Sequence, residues 1–220
     1  MGDSLKVFIG YDPRQPVAAQ VLAHSIFTRS SVPVSIQMLR LASLPIERRG
    51  LTEFTFSRYL VPWLCAFRGK GLFLDADMLC LGDIKELFDL TAYDKPVYVV
   101  KNKLRFEWPS LMLFNCNHGD SKNLTPDYID GKESKPHTLE WASEIGDLPS
   151  EWNHLVGYDE PKPAKLIHFT AGIPCWSETQ GCEYSNEWNR EAHVSVSSVT
   201  WQELMGTSVH AHRVSQGMKI

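Results

Sequence analysis

The stretch Gly71-Leu72-Phe73-Leu74-Asp75-Ala76-Asp77 lies mid-chain and places two acidic residues directly after a short apolar run. Such a run is typical of a buried strand. In extended backbone, residues two positions apart point to the same side, so Asp75 and Asp77 are expected to be neighbours. Neighbouring carboxylates repel each other, and a hard divalent cation with oxygen ligands relieves that repulsion. The stretch therefore predicts a manganese or magnesium site where the strand ends.

A third candidate ligand, His168, follows Leu166 and Ile167 and so leaves a second apolar stretch in the same way. If it joins the acidic pair, a nitrogen among oxygen ligands favours manganese over magnesium. Two ordinary interpretations remain open at this point. An Asp-x-Asp after a strand is often only a turn or a helix N-cap, and a lone histidine is more often a structural hydrogen-bonding residue.

Strand and helix patterns alternate on both sides of this stretch. Upstream, residues 5–11 predict a strand, the segment after Pro16 a helix, and residues 34–38 a half-buried strand. The apolar period over residues 56–67 indicates a helix that Pro62 should kink. Further strands are predicted at 78–81, 98–100, 111–114 and 165–169, helices at 138–144 and 184–192, and a loop or lid at 121–137.

This alternation predicts an α/β fold with a mostly parallel central sheet and helices on both faces. Ligands of such sheets bind at the carboxyl ends of the strands. Residues 1–192 are expected to form one domain, and residues 193–220 a C-terminal extension that is poorly ordered or an interaction element.

Composition and net charge exclude several classes of protein function. The 220 residues are 43% hydrophobic and 22% charged, which is ordinary for a globular protein, and the net charge of −4 lacks the basic character of a nucleic-acid binder. The longest uncharged apolar run has nine residues, whereas a membrane span needs about 20. With five cysteines in no metal-binding spacing and no signal-peptide pattern, a cytoplasmic protein without a transmembrane segment is expected.

Several motifs occur together in a characteristic order. They are the segments 8–12, 56–62, 72–77, 151–157 and 168–170, then Gly172, Pro174 and Trp176, then 182–184 with Trp188. In this order and spacing they resemble family 8 of the glycosyltransferases with the Rossmann-like GT-A fold, and more closely a small bacterial or phage-type branch. The resemblance covers about residues 5–192.

The resemblance implies a hexosyltransferase-type enzyme that uses a nucleotide-sugar donor, usually a UDP-sugar, with a divalent metal and retention of anomeric configuration. It implies that Asp75, Asp77 and His168 bind Mn²⁺ or Mg²⁺, and that Arg58 is a catalytic cation. The donor nucleotide is expected to contact Ile9, Gly10, Tyr11, Asp12, Arg14, Ala76 and Gly172. The acceptor, a glycan, lipid or protein, is not indicated.

Two departures from the family pattern stand out. The lysine expected before Pro-Trp is missing: the stretch is Gly172-Ile173-Pro174-Cys175-Trp176. Arg14 or Arg58 is the expected substitute on the donor diphosphate. In addition, Trp108-Pro109-Ser110 stands where the family has Asn-x-Gly.

Two other functions compete with sugar transfer. Asp75-Ala76-Asp77 after an apolar strand also resembles the nucleophile motif of haloacid-dehalogenase-like phosphatases, in which the first aspartate attacks phosphate. That motif normally lies near the chain start and is followed by Thr or Val, whereas Met78 follows here. A catalytically degenerate nucleotide-sugar-binding module is the third possibility, and the missing lysine favours it slightly.

Overall fold

The computed structural model describes residues 4–196. A six-stranded sheet forms the centre, with strand order β2-β1-β3-β6-β5-β7. Its strands are β1 (Leu5–Tyr11), β2 (Val34–Arg40), β3 (Lys70–Leu74), β5 (Val97–Val99), β6 (Leu111–Asn115) and β7 (Ile145–Asp147). Strand β6 alone runs antiparallel to its neighbours, which confirms the predicted α/β fold with a mostly parallel sheet.

A second, three-stranded sheet lies beside the first, and the sequence analysis did not anticipate it. Its order is β4-β9-β8, with β4 at Met78–Cys80, β8 at His154–Leu155 and β9 at Leu166–His168. Strand β9 pairs antiparallel with β4, which follows Asp77 directly. This pairing joins the last third of the chain to the acidic stretch.

Five α-helices complete the described part of the chain: α1 (Pro16–Arg29), α2 (Val61–Leu64), α3 (Ile84–Asp89), α4 (Pro126–Asp130) and α5 (Ser185–Val196). Helix α1 begins with proline, whose fixed φ suits a first turn, and it buries the apolar face that its sequence predicts. Helix α5 continues past residue 192, and residues 197–220 lie outside the described residues. In the described chain, no helix is long and apolar enough to cross a membrane.

Three predicted elements differ from the structure. Instead of one helix over 56–67 there is a 3-10 turn, Ser57–Leu60, followed by α2. Pro62 explains the interruption, because it has no N–H to donate to the preceding turn. Residues 138–144 form turns rather than a helix, with Leu139 at a φ of 59°. The loop predicted at 121–137 contains 3-10 turns and α4.

Gly10 in β1 is tightly packed, so we expect Gly10→Ala to destabilise the protein. A Cβ there would lie 2.5 Å from Phe54 Cγ and 2.9 Å from Phe54 Cβ. Rotating the Phe54 ring cannot relieve a clash with its own Cβ, so the backbone must move. The expected loss is about 1–3 kcal/mol in the free energy of unfolding. Gly119→Ala is the matched control in chemical denaturation, because its Cβ would meet no atom within 4 Å. Equal stability of the two variants would contradict the packing argument.

Candidate metal centre

The two sheets bring His168 to the acidic pair. His168 ends β9 and stands opposite Met78 in the β4–β9 register, one residue beyond Asp77. The backbone N–H of Phe169 donates to the carbonyl oxygen of Asp77 at 2.9 Å, which continues the ladder past the strand end. A residue 91 positions away in the sequence thus becomes a neighbour of the acidic motif through backbone pairing alone.

Asp75, Asp77 and His168 each offer one ligand atom, and these atoms lie within 4.8 Å of one another. Nε2 of His168 lies 3.4 Å from Oδ1 of Asp77. The Oδ1 atom of Asp77 is buried without a hydrogen-bond partner, and Oδ1 of Asp75 is buried and contacts Arg58 in an ion pair. Buried acceptors are normally satisfied. A carboxylate oxygen of Asp77 without a hydrogen-bond partner, beside a second carboxylate and an imidazole, therefore fits a divalent cation, and a mixed oxygen and nitrogen set suits manganese.

The site concentrates negative charge in a buried position. Burial raises the pKa of Asp75 to about 7, and the nearby charges of Asp77 and Glu107 act in the same direction, against Arg58 and His168. For His168, burial acts to lower the pKa, but the surrounding carboxylates outweigh it and leave the pKa above its usual value. Both shifts show a cluster that positive charge would stabilise.

Arg58 supplies the one fixed positive charge that touches the acidic pair among the described residues. Its Nη2 lies 3.0 Å from Asp75 Oδ1, and its Nη1 donates to the carbonyl oxygen of Pro109 at 2.7 Å. The guanidinium is buried and lies over the Phe73 ring at 4.9 Å. The structure therefore places Arg58 beside the acidic pair, already engaged by protein groups, and its catalytic role stays a prediction.

Sequence reasoning missed Glu107, a buried carboxylate that lies at this site together with the partly exposed Asp75 and Asp77. One of its oxygens, Oε1, accepts a hydrogen bond from the Thr170 hydroxyl at 2.6 Å. Its other oxygen, Oε2, lies 3.7 Å from His168 Nδ1. No local pattern marks Glu107, which lies in a 3-10 segment before β6. Only the chain path, which runs from β5 across the end of β3, brings it to the histidine.

Asn153 and Ser110 also belong to the site, and the sequence analysis assigned a role to neither of them. Oδ1 of Asn153 lies 3.1 Å from His168 Nδ1, and its Nδ2 donates to Ser110 Oγ at 2.9 Å. The Ser110 hydroxyl donates in turn to the carbonyl oxygen of Glu107 at 2.6 Å. All four side chains are buried. Asn153 lies in a stretch that carried the family resemblance, which was the available signal.

The candidate nucleotide-binding residues of β1 occupy varied environments. The side chain of Ile9 is fully buried, Tyr11 is half-buried, and Gly10 packs against Phe54. Asp12 is buried and accepts two hydrogen bonds from the Arg14 guanidinium, at 2.9 and 2.5 Å, which lowers its pKa. Arg14 is thus committed to Asp12, although its side chain is 67% exposed.

The remaining candidates lie on either side of the metal ligands. Ala76 is fully buried between the two aspartates. Gly172 has a φ of +125°, and a Cβ there would lie 2.5 Å from the Trp176 ring. The positive φ favours glycine at this position, and a Cβ would in addition displace the exposed Trp176 ring. Ile173, in the region where the family lysine is missing, is fully buried.

Comparison with known proteins identifies the family of the chain. The sequence profile of the family described as "Glycosyl transferase family 8" matches residues 18–143. "Protein CDI" of Arabidopsis thaliana is 34% identical to the chain, over 84% of this chain and 85% of that protein.

Solved structures of low sequence identity share the fold. The bifunctional glycosyltransferase WbbM gives a TM-score of 0.68 at 14% identity, covering 98% of this chain. The glycosyltransferase GlyE of Streptococcus pneumoniae TIGR4 gives 0.66 at 15% identity over 93% of this chain. The chain spans only 52% of the WbbM chain and 62% of the GlyE chain. The galactosyltransferase LgtC, solved with donor and acceptor sugar analogs, gives 0.60 at 14% identity over 90% of this chain and 99% of its own.

Proposed function

Because the chain belongs to glycosyl transferase family 8, we propose that it is a metal-dependent glycosyltransferase that moves a sugar from a nucleotide-sugar donor to an acceptor. We further propose a UDP-sugar as donor, Mn²⁺ or Mg²⁺ as cofactor, and retention of anomeric configuration. The observation that carries the proposal is the convergence of ligand atoms from Asp75, Asp77 and His168 within 4.8 Å of one another, where Oδ1 of Asp77 is buried without a hydrogen-bond partner.

The proposed role of the metal follows from the negative charge that develops on the leaving group. Breaking a sugar–phosphate bond leaves a diphosphate with additional negative charge, and a divalent metal at this site supplies compensating charge. Asp75, Asp77 and His168 would hold the cation. Arg58 keeps Asp75 oriented through the 3.0 Å ion pair, so that its role is to position a metal ligand and to add positive potential.

The donor nucleotide would lie across the carboxyl ends of β1 and β3, where such sheets bind ligands. Tyr11 would pack against the base, while Ile9, Gly10 and Ala76 would contribute backbone rather than side chains, since the side chains of Ile9 and Ala76 are fully buried. Asp12 is buried and both of its carboxylate oxygens accept hydrogen bonds from Arg14, so it would act at the nucleotide by holding Arg14 in place.

The diphosphate lacks one expected contact, because Ile173 is buried in the region of the missing lysine. Arg58 and Arg14 are the candidate replacements, and each is engaged by a carboxylate. Arg14 is the more available of the two, because its side chain is largely exposed. Gly172 is the remaining candidate for a close backbone approach to the phosphates, at a φ of +125° that glycine permits, and its own N–H donates to the carbonyl oxygen of Phe169 at 2.7 Å.

A thermal-shift screen of nucleotide sugars, each with and without Mn²⁺, tests the proposed function. A UDP-sugar at 100 times its dissociation constant should stabilise the protein by about 2.7 kcal/mol. This gain should disappear when EDTA removes the metal. ADP-sugars and GDP-sugars serve as matched donors that differ in the base. Absence of metal-dependent stabilisation by any nucleotide sugar would contradict the proposal.

The same protein sample separates the rival functions. Metal-dependent UDP binding without hydrolysis or transfer of the donor would indicate a binding module. Phosphatase activity that Asp75→Asn abolishes, with no UDP affinity, would indicate the haloacid-dehalogenase-like reaction. Membership in a glycosyl transferase family favours sugar transfer over both.

A further inference from the structure

A chain of buried hydrogen bonds runs behind the candidate metal ligand His168. It connects the carbonyl oxygen of Glu107, Ser110 Oγ, the Asn153 side-chain amide and His168 Nδ1, at successive distances of 2.6, 2.9 and 3.1 Å. The exposed fractions of Ser110, Asn153 and His168 are 1%, 1% and 2%. Water therefore has little access, and each group depends on its protein partner.

The donor and acceptor roles along this series of hydrogen bonds are fixed by the Glu107 carbonyl oxygen at its end. A carbonyl oxygen can only accept, so the Ser110 hydroxyl donates its proton to Glu107. Ser110 Oγ then receives an N–H from Asn153 Nδ2, because an amide nitrogen can only donate. That leaves Oδ1 of Asn153 facing the histidine ring, and an amide oxygen can only accept. Nδ1 of His168 must therefore carry a proton to make this hydrogen bond.

We infer that Asn153 is a positioning residue: it holds His168 with the proton on Nδ1, so that the Nε2 lone pair is kept for the cation. Nε2 is the ring atom that faces the acidic pair, at 3.4 Å from Asp77 Oδ1. The Glu107 carboxylate, 3.7 Å from Nδ1, favours the same tautomer. Without a cation, Asp77 at Nε2 favours the opposite one, so the hydrogen bond from Nδ1 to Asn153 decides between them. Outer partners of this kind orient a ligating imidazole and raise its affinity for metal. The inference rests on the proposed metal dependence.

Backbone pairing explains why Asn153 is reliably in place. Asn153 lies between the 3-10 turn Ser150–Trp152 and β8, whose His154 and Leu155 pair in parallel with Ile167 and His168 of β9. His168 on β9 and Asn153 directly before β8 are thus fixed by two adjacent strands of one small sheet. Backbone pairing also fixes Ser110, on which the orientation of the Asn153 amide depends. Ser110 precedes β6, and its carbonyl oxygen accepts from the Asp75 N–H at 2.9 Å.

Asn153→Leu tests the inference, because leucine keeps the approximate volume and removes the acceptor. Mn²⁺ affinity, read by the electron paramagnetic resonance signal of free Mn²⁺, should fall about 10- to 100-fold. Asn153→Asp keeps an oxygen opposite Nδ1 and should stay within about threefold of wild type, well short of that loss. Asn189→Leu, an exposed asparagine on α5, is the matched control and should not change the affinity.

A second readout does not depend on metal. Long-range ¹H–¹⁵N spectra of the metal-free protein, at a pH where the ring is neutral, should show His168 protonated on Nδ1 in wild type and in Asn153→Asp. In Asn153→Leu the ring should shift toward the Nε2–H tautomer. If Asn153→Leu does not fold, Ser110→Ala provides the same test, since it removes the acceptor that orients the Asn153 amide.

The outcomes separate the inference from the proposed function. If wild type binds no Mn²⁺ and no nucleotide sugar, the proposed metal dependence fails and the role of Asn153 in cation binding fails with it. If wild type binds Mn²⁺ but Asn153→Leu binds it equally well, or if Nδ1 stays protonated in that variant, the proposed function stands and the positioning role of Asn153 is overturned.

Discussion

Asp77→Asn is expected to abolish metal-dependent stabilisation and to lower sugar transfer by at least about a hundredfold, the scale on which a single electrostatic stabiliser of a transition state acts. The substitution keeps the volume and removes the charge that a cation needs. Oδ1 of Asp77 is buried without a hydrogen-bond partner, so little native hydrogen bonding is lost. Donor turnover and the Mn²⁺-dependent thermal shift measure the effect, and the metal-free melting temperature should change little.

The control for Asp77→Asn is Asp89→Asn, the same chemical change on a largely exposed carboxylate that pairs with Lys85 on α3. An exposed ion pair of this type contributes at most about 1 kcal/mol. Transfer activity and metal response should therefore match wild type. If Asp77→Asn retained full activity at ordinary metal concentration, Asp77 would not be a metal ligand.

Arg58→Met is expected to be the most destabilising substitution at the site. It removes the ion pair with Asp75 and the hydrogen bond to Pro109, and it leaves Asp75 buried beside Asp77 without its compensating cation. Removing one partner of a buried ion pair typically costs about 3–5 kcal/mol. Methionine retains the apolar contact with the Phe73 ring, so the loss reports mainly charge and hydrogen bonding. Chemical denaturation of the metal-free protein measures it.

Metal should partly rescue Arg58→Met, because a cation between Asp75 and Asp77 replaces some of the missing positive charge. The stabilisation by saturating Mn²⁺ should therefore be larger in Arg58→Met than in wild type. Arg58→Lys, which keeps the charge but not the planar fork, should fall between the two in metal-free stability. A metal-free stability of Arg58→Met equal to wild type would show that the ion pair with Asp75 contributes nothing.

The departures from the family pattern acquire a physical interpretation in the structure. Ser110, in the Trp-Pro-Ser that replaces Asn-x-Gly, provides the hydroxyl that orients Asn153. Ile173 is buried and can supply no charge. The protein thus differs from the family pattern both behind the proposed metal ligands and at the proposed diphosphate position, and we expect donor selectivity to reflect those differences.

The central strands and the acidic motif could be predicted from the sequence because their signals are local. Strand β1 has the predicted bounds, and β3, β4 and β9 differ from prediction by at most a residue or so at either end. The failed helix at 138–144 shows the limit, since an apolar period of one or two turns does not outweigh tertiary packing. The antiparallel direction of β6 could not be predicted either, because the apolar pattern along a strand does not indicate the direction of its neighbours.

The amino-acid sequence by itself determined which residues could hold a cation, since Asp75, Asp77 and His168 each follow an apolar strand. Only the tertiary structure decided that they meet, because the antiparallel register of β4 with β9 sets His168 beside Asp77. It also decided that Arg58 pairs with Asp75, and that Glu107, Ser110 and Asn153 stand behind the histidine. Strand pairing and loop paths depend on contacts between distant residues, and no local pattern encodes them.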